Sequence, residues 1–237
     1  MRESKKLKEY VLEGLMIFVA VVLGFIAENI REKMIDDQTE QAFMNSMVED
    51  LKIDTSRMRY SISRLEINIA HTDTLFAYYE SGKIGKSESK RLSSLALRAG
   101  FSVDVVFNDR TSSQLKETGS MRLIDNKSVA DSLMMYWNNQ IKLAQIHARY
   151  EETRQRQRDI GFRTFVWHIN YYKGAGGAID IDVDNRNFII DHSQLKEFMN
   201  ATGNLYNVAR TQYMRALREQ QELAITVMEQ IRKAYSL

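Results

Sequence analysis

The sequence predicts an all-α protein in which an N-terminal transmembrane helix continues into a bundle of long, coiled-coil-like helices. Three observations support this prediction. The 237 residues contain no Pro and only 11 Gly, whereas average usage would place about 12 prolines in a chain of this length. Residues 10–27 are almost entirely apolar, and a long apolar seam follows them. Since proline breaks helix interiors and marks loops, its absence favours a few long helices with short connections.

Composition excludes several classes of function. Lys and Arg number 33 against 31 Asp and Glu, which gives a net charge of +2. No strong whole-chain field therefore attracts nucleic acid, and we expect no nucleic-acid partner. The absence of Cys excludes disulfides, thiolate metal sites, iron–sulfur clusters and thiol nucleophiles. The length is typical of one domain, and no repeat or linker indicates a second one.

The first element is an apolar segment, YVLEGLMIFVAVVLGFIA, which carries one charge, Glu13. Its 18 residues would form roughly 27 Å of helix, close to the hydrocarbon thickness of a bilayer. Four basic residues precede it and only two follow it closely; they are Arg2, Lys5, Lys6 and Lys8, then Arg31 and Lys33. The positive-inside rule predicts a cytoplasmic N-terminus at residues 1–9, a transmembrane helix at 10–30 and an extracytoplasmic domain at 31–237.

This topology predicts a membrane protein whose main domain lies outside the cytoplasm. Two other interpretations of the apolar segment stay open. One is a signal peptide cleaved after Gly24, and the other is a buried helix of a soluble protein.

One face of the predicted span carries Glu13 and three small residues, Ala20, Gly24 and Ala27, and we call it the span face. Small residues at this spacing let membrane helices approach closely, and an intramembrane acid usually faces a partner or water. The span face therefore predicts packing against another membrane helix, most simply in a homo-oligomer. The alternatives are that Glu13 reaches the headgroups by snorkelling, or that it conducts protons or ions.

The second element is a heptad pattern, which we call the apolar seam; its members are Met44, Val48, Leu51, Thr55, Met58, Ile62, Leu65, Ile69, Thr72, Phe76 and Tyr79. Nine of these eleven residues are apolar and recur every 3.5 residues on average, which is typical of a long helix in a bundle. No breaker separates the seam from the apolar segment. We therefore predict one helix from about residue 10 to about residue 80, ended by the sequence SGKIG.

Shorter elements follow. Ser87 and Gly100 bound a short helix carrying three leucines, and the pair Asn108–Asp109 begins another, which Gly119 stops. Asp125 and Asn126 then cap a helix with a broad apolar face. A small hairpin or loop is predicted near 174–191, because Ile and Val alternate with Asp from 179 to 184 and FII follows at 188–190.

The last predicted helix opens at Ser193 and Gln194 and runs to the C-terminus. Its seam again steps by four and three residues; it consists of Tyr213, Leu217, Gln220, Ala224, Val227, Ile231 and Ala234.

Two blocks of sequence carry a resemblance. One is Glu13 with LGFIAENIREK (23–33), continuing into MVEDLKIDT (47–55), and the other is NDRTSSQLKETGSMRLIDNKSVADS (108–132). On these blocks the chain resembles a large, uncharacterised family of Bacteroidota-type proteins with one N-terminal membrane helix and a helical extracytoplasmic part. The resemblance implies the topology and the fold, and it implies a bacterial inner membrane with the C-terminal domain in the periplasm. It implies no reaction.

We expect no catalytic residue, no cofactor and no metal site. The four histidines, His71, His147, His168 and His192, show no metal-ligand spacing. Asp180, Asp182 and Asp184, with Asp191, imitate the outline of a calcium loop, but Asn185 stands where the turn glycine is needed. A solvated hairpin face is the better interpretation of these acids.

The predicted function is that of a single-pass, membrane-anchored scaffold or interaction protein that self-associates and is not an enzyme. Its expected partners are membrane lipid, further copies of itself and another membrane or periplasmic protein. The alternative is a sensory or small-ligand-binding bundle acting through a partner protein. Its pocket would be lined by aromatic residues of two segments, Tyr136, Trp137, Trp167 and Tyr171, although such residues at helical spacing usually belong to a core.

Overall fold

The computed structural model describes residues 2–82, 89–165, 170–173, 179–182 and 191–237. The helices are α1 (Arg2–Glu80), α2 (Ser89–Ala99), α3 (Arg110–Glu117), α4 (Lys127–Thr164), α5 (His192–Asn207) and α6 (Met214–Tyr235). A 3₁₀ turn (Ser120–Leu123) precedes α4, and a π-helical segment (Val208–Tyr213) joins α5 to α6. Two short strands complete the order, β1 (Asn170–Lys173) and β2 (Ile179–Asp182). The predicted all-α class is confirmed.

Helix α1 has 79 residues and would extend over about 118 Å at 1.5 Å per residue. Its two parts have different surroundings. From Leu12 to Gln38 every side chain is exposed, and the packed bundle begins at Thr39 and Glu40. The apolar part has a mean hydropathy of 1.9 over its best 18-residue window and is 0% buried. By length and composition, this one helix could cross a membrane.

The core follows α1 from Glu40 to its end in three successive clusters. The first surrounds Met44, Leu51 and Met58 with residues of α4 and α6, such as Leu133 and Val227. The second surrounds Leu65 with the middle of α4 and the π-helical segment. The third surrounds Leu75 with α2 and α5, where the far end of the bundle closes. Every member of the apolar seam is buried or half-buried.

The predicted small hairpin near 174–191 lies earlier in the chain than we expected. β2 pairs antiparallel with β1, so that Asn170 is opposite Asp182 and Lys173 is opposite Ile179. The expected partner of residues 179–182, at 188–190, lies outside the described residues, as does Ser87. Asp191, the last acid of the calcium-like pattern, caps α5 by accepting hydrogen bonds from the backbone N–H groups of Ser193 and Gln194.

The C-terminal helix was predicted as continuous, and it contains a π-helical segment. Leu205, Ala209, Tyr213 and Leu217 are all buried and follow one another at steps of four. In a regular α-helix Leu205 and Leu217 would lie about 120° apart around the axis. A π turn contains one residue more than an α turn. The π-helical segment therefore lets both α5 and α6 keep their apolar sides toward the core.

Candidate functional site on helix α1

The span face is open along its whole length. Glu13, Ala20, Gly24 and Ala27 are exposed, and a Cβ added at Gly24 would meet no described atom within 4 Å. An exposed apolar helix of this length is unfavourable in water, because contact between apolar surface and water costs free energy. The structure therefore gives the span face room for lipid or for a second helix.

A second functional feature lies on the bundle part of α1, beside the apolar seam. Five polar residues at steps of four, three, four and seven share one side of the helix, and we call them the polar stripe: Asp50, Asp54, Arg57, Ser61 and Asn68. All five contact one stretch of chain between α2 and the start of α3. We call residues 100–109 of that stretch the connector.

The polar stripe binds the connector in antiparallel order. Asn68 donates to the carbonyl of Phe101 (2.9 Å), and Ser61 donates to the carbonyl of Asp104 (2.6 Å). Arg57 donates to the carbonyl of Val106 (2.8 Å). The side chains of one helix thus replace the neighbouring strand that an extended chain would otherwise need.

The opposite side of the connector is held by two tyrosines. Tyr150 donates to the carbonyl of Phe101 (3.2 Å) and Tyr213 to that of Val103 (3.0 Å). Their rings stack with centroids 4.8 Å apart, and burial raises the pKa of both hydroxyls. The connector is therefore fixed between α1 on one side and α4 with the π-helical segment on the other.

Asp50 organises the start of α3. The residue is 1% exposed, and its carboxylate accepts from Asn108 Nδ2 (2.8 Å), Arg110 (3.0 Å) and the backbone N–H of Thr111 (3.0 Å). Asp109, the N-cap residue of α3, makes no capping bond with its own side chain. The capping role that a local Asp usually has is thus filled by a carboxylate of α1.

Asp54 lies one turn further along α1 and is also 1% exposed. It accepts from the backbone N–H of Asn108 (2.7 Å) and from the hydroxyl of Tyr136 (2.7 Å). Burial raises the pKa of the Asp54 carboxyl, although both hydrogen bonds lower it. Burial, together with the nearby Asp54, raises the pKa of the Tyr136 hydroxyl as well. The Asp54 carboxylate thus provides an acceptor for the Asn108 N–H and the Tyr136 hydroxyl, which would be costly to bury without a partner.

A third carboxylate of α1, Glu40, connects α1 to the residues before α4 and to the end of α6, at the end of the bundle nearest the apolar segment. It accepts from the backbone N–H of Asp125 (2.8 Å) and from the hydroxyl of Tyr235. Carboxylate oxygens of Asp37, Glu40 and Asp125 lie within 4.8 Å of one another, a spacing that could hold a cation. Since Glu40 already has two donors, we assign it a structural role.

The predicted turn residues lie in the same region. Gly119 has a left-handed backbone, with φ of 69°, directly after the C-cap residue of α3. Asp125 contributes its backbone N–H to Glu40. Asn126 caps α4 by accepting from the backbone N–H of Val129 (3.1 Å). The Lys116 ammonium group lies 4.3 Å from the centroid of the Trp137 ring.

Sequence reasoning missed the carboxylates of α1. The structure shows that residues 47–55 and the start of the stretch 108–132 are the two sides of one contact. Asp50 and Asp54 belong to the block at 47–55, and their partners Asn108, Arg110 and Thr111 belong to the block at 108–132. A polar stripe with helical spacing beside an apolar seam was the available signal.

Of the four aromatic residues named for a ligand pocket, the structure describes the side chains of two. Tyr136 and Trp137 are 1% and 4% exposed and belong to the first core cluster. Trp167 and the side chain of Tyr171 lie outside the described residues. No family model, no curated protein and no solved structure matches this chain. The resemblance to the Bacteroidota-type family thus stays a prediction.

Proposed function

We propose that this protein is a single-pass, membrane-anchored helical scaffold that self-associates, with no catalytic activity. The observation that carries the proposal is helix α1, which is unbroken from Arg2 to Glu80. Its first part is apolar and unpacked, and its second part is the central helix of the bundle. A single helix with these two parts links a membrane to a folded domain without a flexible joint.

The geometry supports an extended scaffold that projects from the membrane. From residue 30, the predicted end of the span, to Glu80 the helix extends about 75 Å. The polar stripe fixes the connector to α1, and α6 returns to it, since Gln41 donates to the backbone carbonyl of Tyr235 (3.2 Å). A displacement of the membrane helix would thus move the whole bundle with it. The distribution of basic residues favours a cytoplasmic N-terminus and a bundle outside the cytoplasm, and we propose that the membrane is a bacterial inner membrane with the bundle in the periplasm.

Self-association is proposed through the span face. The small residues leave a shallow groove that a second helix fills better than lipid does. Glu13 lies on the same face, where a neighbouring helix could supply a hydrogen-bond partner.

The test is the mass of the detergent-solubilised protein, measured by analytical ultracentrifugation. Ala20→Leu combined with Gly24→Leu should reduce the oligomer to a smaller species. Val22→Leu, which lies away from the span face, should not. Equal masses for both variants and the wild type would refute this face, and a monomer in all three would refute self-association.

A further inference from the structure

The side of α1 that points away from the bundle carries a second pattern, which we call the outer stripe. It consists of three apolar residues seven apart, each followed by a small residue three positions later: Ile53, Ser56, Tyr60, Ser63, Ile67 and Ala70. All six are exposed, and Ile53, Tyr60 and Ile67 retain 40%, 68% and 43% of their accessible surface. Single exposed apolar residues are ordinary on protein surfaces. Three at heptad spacing on one face form a seam that a partner helix fits.

The flanks of the outer stripe are basic. Lys52 and Arg59 lie on one side, and Arg57 and Arg64 lie on the other. Lys52 is paired with Glu49 (2.6 Å) and Arg57 donates to a backbone carbonyl. Within the described residues, Arg59 and Arg64 make no ion pair and no hydrogen bond.

The one acid on these flanks, Glu66, is neutralised by Arg218 of α6 (2.9 Å). The net charge along the outer stripe is therefore positive, and it favours a partner with acidic flanks.

The same charges argue against a second copy of this chain on the outer stripe. Two copies anchored in one membrane would run parallel. A parallel heptad pair would place Lys52 opposite Arg57 and Arg59 opposite Arg64, and like charges at these positions are unfavourable. Small-residue contacts in membranes favour crossing angles near 40°, which would separate two α1 helices by roughly 30 Å at Ile53.

We propose that the outer stripe docks an amphipathic helix of another protein whose apolar seam is flanked by acidic side chains. The inference rests on the proposed scaffold role and names the class of partner that the scaffold holds. Ile53, Tyr60 and Ile67 contact the apolar seam of that helix, the small residues allow it to approach closely, and Arg59 and Arg64 pair with its carboxylates.

The experiment uses the full chain in nanodiscs of uncharged lipid and two fluorescent 21-residue peptides. Both peptides have the same leucine seam, and they carry either Glu or Lys at the flanking heptad positions. Fluorescence anisotropy, corrected with empty nanodiscs, should show at least tenfold tighter binding of the glutamate peptide. Tyr60→Asp with Ile67→Asp should weaken that binding at least tenfold. The matched control, Met134→Asp with Met135→Asp on an exposed part of α4, should leave it unchanged.

Charge reversal is the second arm. Arg59→Glu with Arg64→Glu should invert the preference in favour of the lysine peptide, and circular dichroism should confirm that the variants stay folded. Equal binding of the two peptides, no binding of either, or equal losses in the outer-stripe and α4 variants would overturn the proposal. A disulfide-linked dimer of Ser63→Cys in membranes would also overturn it in favour of a second copy. Peptide binding is read separately from insertion and self-association, so the scaffold proposal and the docking proposal can fail independently.

Discussion

Asp50→Asn tests how strongly the carboxylates of α1 hold the rest of the bundle. The substitution keeps the shape of the side chain but replaces one acceptor oxygen with an NH₂ donor. Whichever way the amide is turned, at least one of the three donors at Asn108, Arg110 and Thr111 then faces another donor. Hydrogen bonds to charged groups contribute about 1.5–3 kcal/mol, and a buried unsatisfied donor costs about 1–3 kcal/mol. Arg110 is 59% exposed, so its ion pair adds little.

We expect Asp50→Asn to lower the free energy of unfolding by about 2–4 kcal/mol, or the melting temperature by about 5–15 °C. The assay is thermal and urea unfolding of the full chain in detergent, followed by circular dichroism. The matched control is Glu49→Gln on the adjacent residue, whose side chain is 60% exposed and pairs with Lys52; its melting temperature should equal that of the wild type. If Asp50→Asn had the same melting temperature as Glu49→Gln and the wild type, the polar stripe would not be what fixes the connector.

Two further predictions concern the backbone and the buried tyrosines. Gly119→Val should lower the free energy of unfolding by about 1–2 kcal/mol, because φ is positive and a β-branched residue is strained there. An added Cβ would meet no described atom within 4 Å, so no steric clash adds to this cost. Gly119→Asn should cost less, since Asn tolerates this conformation, and equal melting temperatures for both variants and the wild type would contradict the reasoning. The second prediction is a loss of stability above about pH 10, the ordinary tyrosine pKa. Burial raises the pKa of the most deeply buried hydroxyls, those of Tyr136, Tyr150 and Tyr213, so the unfolded chain loses these protons first. The free energy of unfolding should then fall by about 1.4 kcal/mol per pH unit for each of these tyrosines. Tyr150→Phe should reduce that slope by about 1.4 kcal/mol per pH unit in urea titrations at pH 10–12, and an unchanged slope would refute the assignment.

The sequence predicted the helices well because helical periodicity reports which residues face a core. The continuous helix to Glu80 and the burial of Met44, Leu51 and Leu65 follow directly from the heptad spacing. Periodicity also predicted the C-terminal seam from Leu217 to Ile231. It did not predict the π-helical segment. The need for an additional residue in the turn becomes apparent only when the apolar faces of α5 and α6 must pack against the same core.

The polar contacts were harder to predict. Asp50 and Asp54 lie beside the apolar seam, where acids are usually solvated, and nothing in their own neighbourhood names a partner more than fifty residues away. The connector alternates like a strand, with buried or half-buried apolar residues at 101, 103, 105 and 107 and exposed residues at 102, 104 and 106. Its hydrogen bonds nevertheless come from side chains of α1, α4 and the π-helical segment rather than from another strand. Such contacts depend on tertiary structure, which a single sequence specifies only indirectly.

The most direct test of the central claim is the topology of α1 in the membrane. The chain has no Cys, so Ser4→Cys and Ser236→Cys each introduce one unique label near an end of the protein. A membrane-impermeant maleimide applied to cells with a permeabilised outer membrane should label Ser236→Cys at once, and Ser4→Cys only after lysis. A protein recovered in the soluble fraction, or labelling of Ser4→Cys before lysis, would contradict the anchored scaffold.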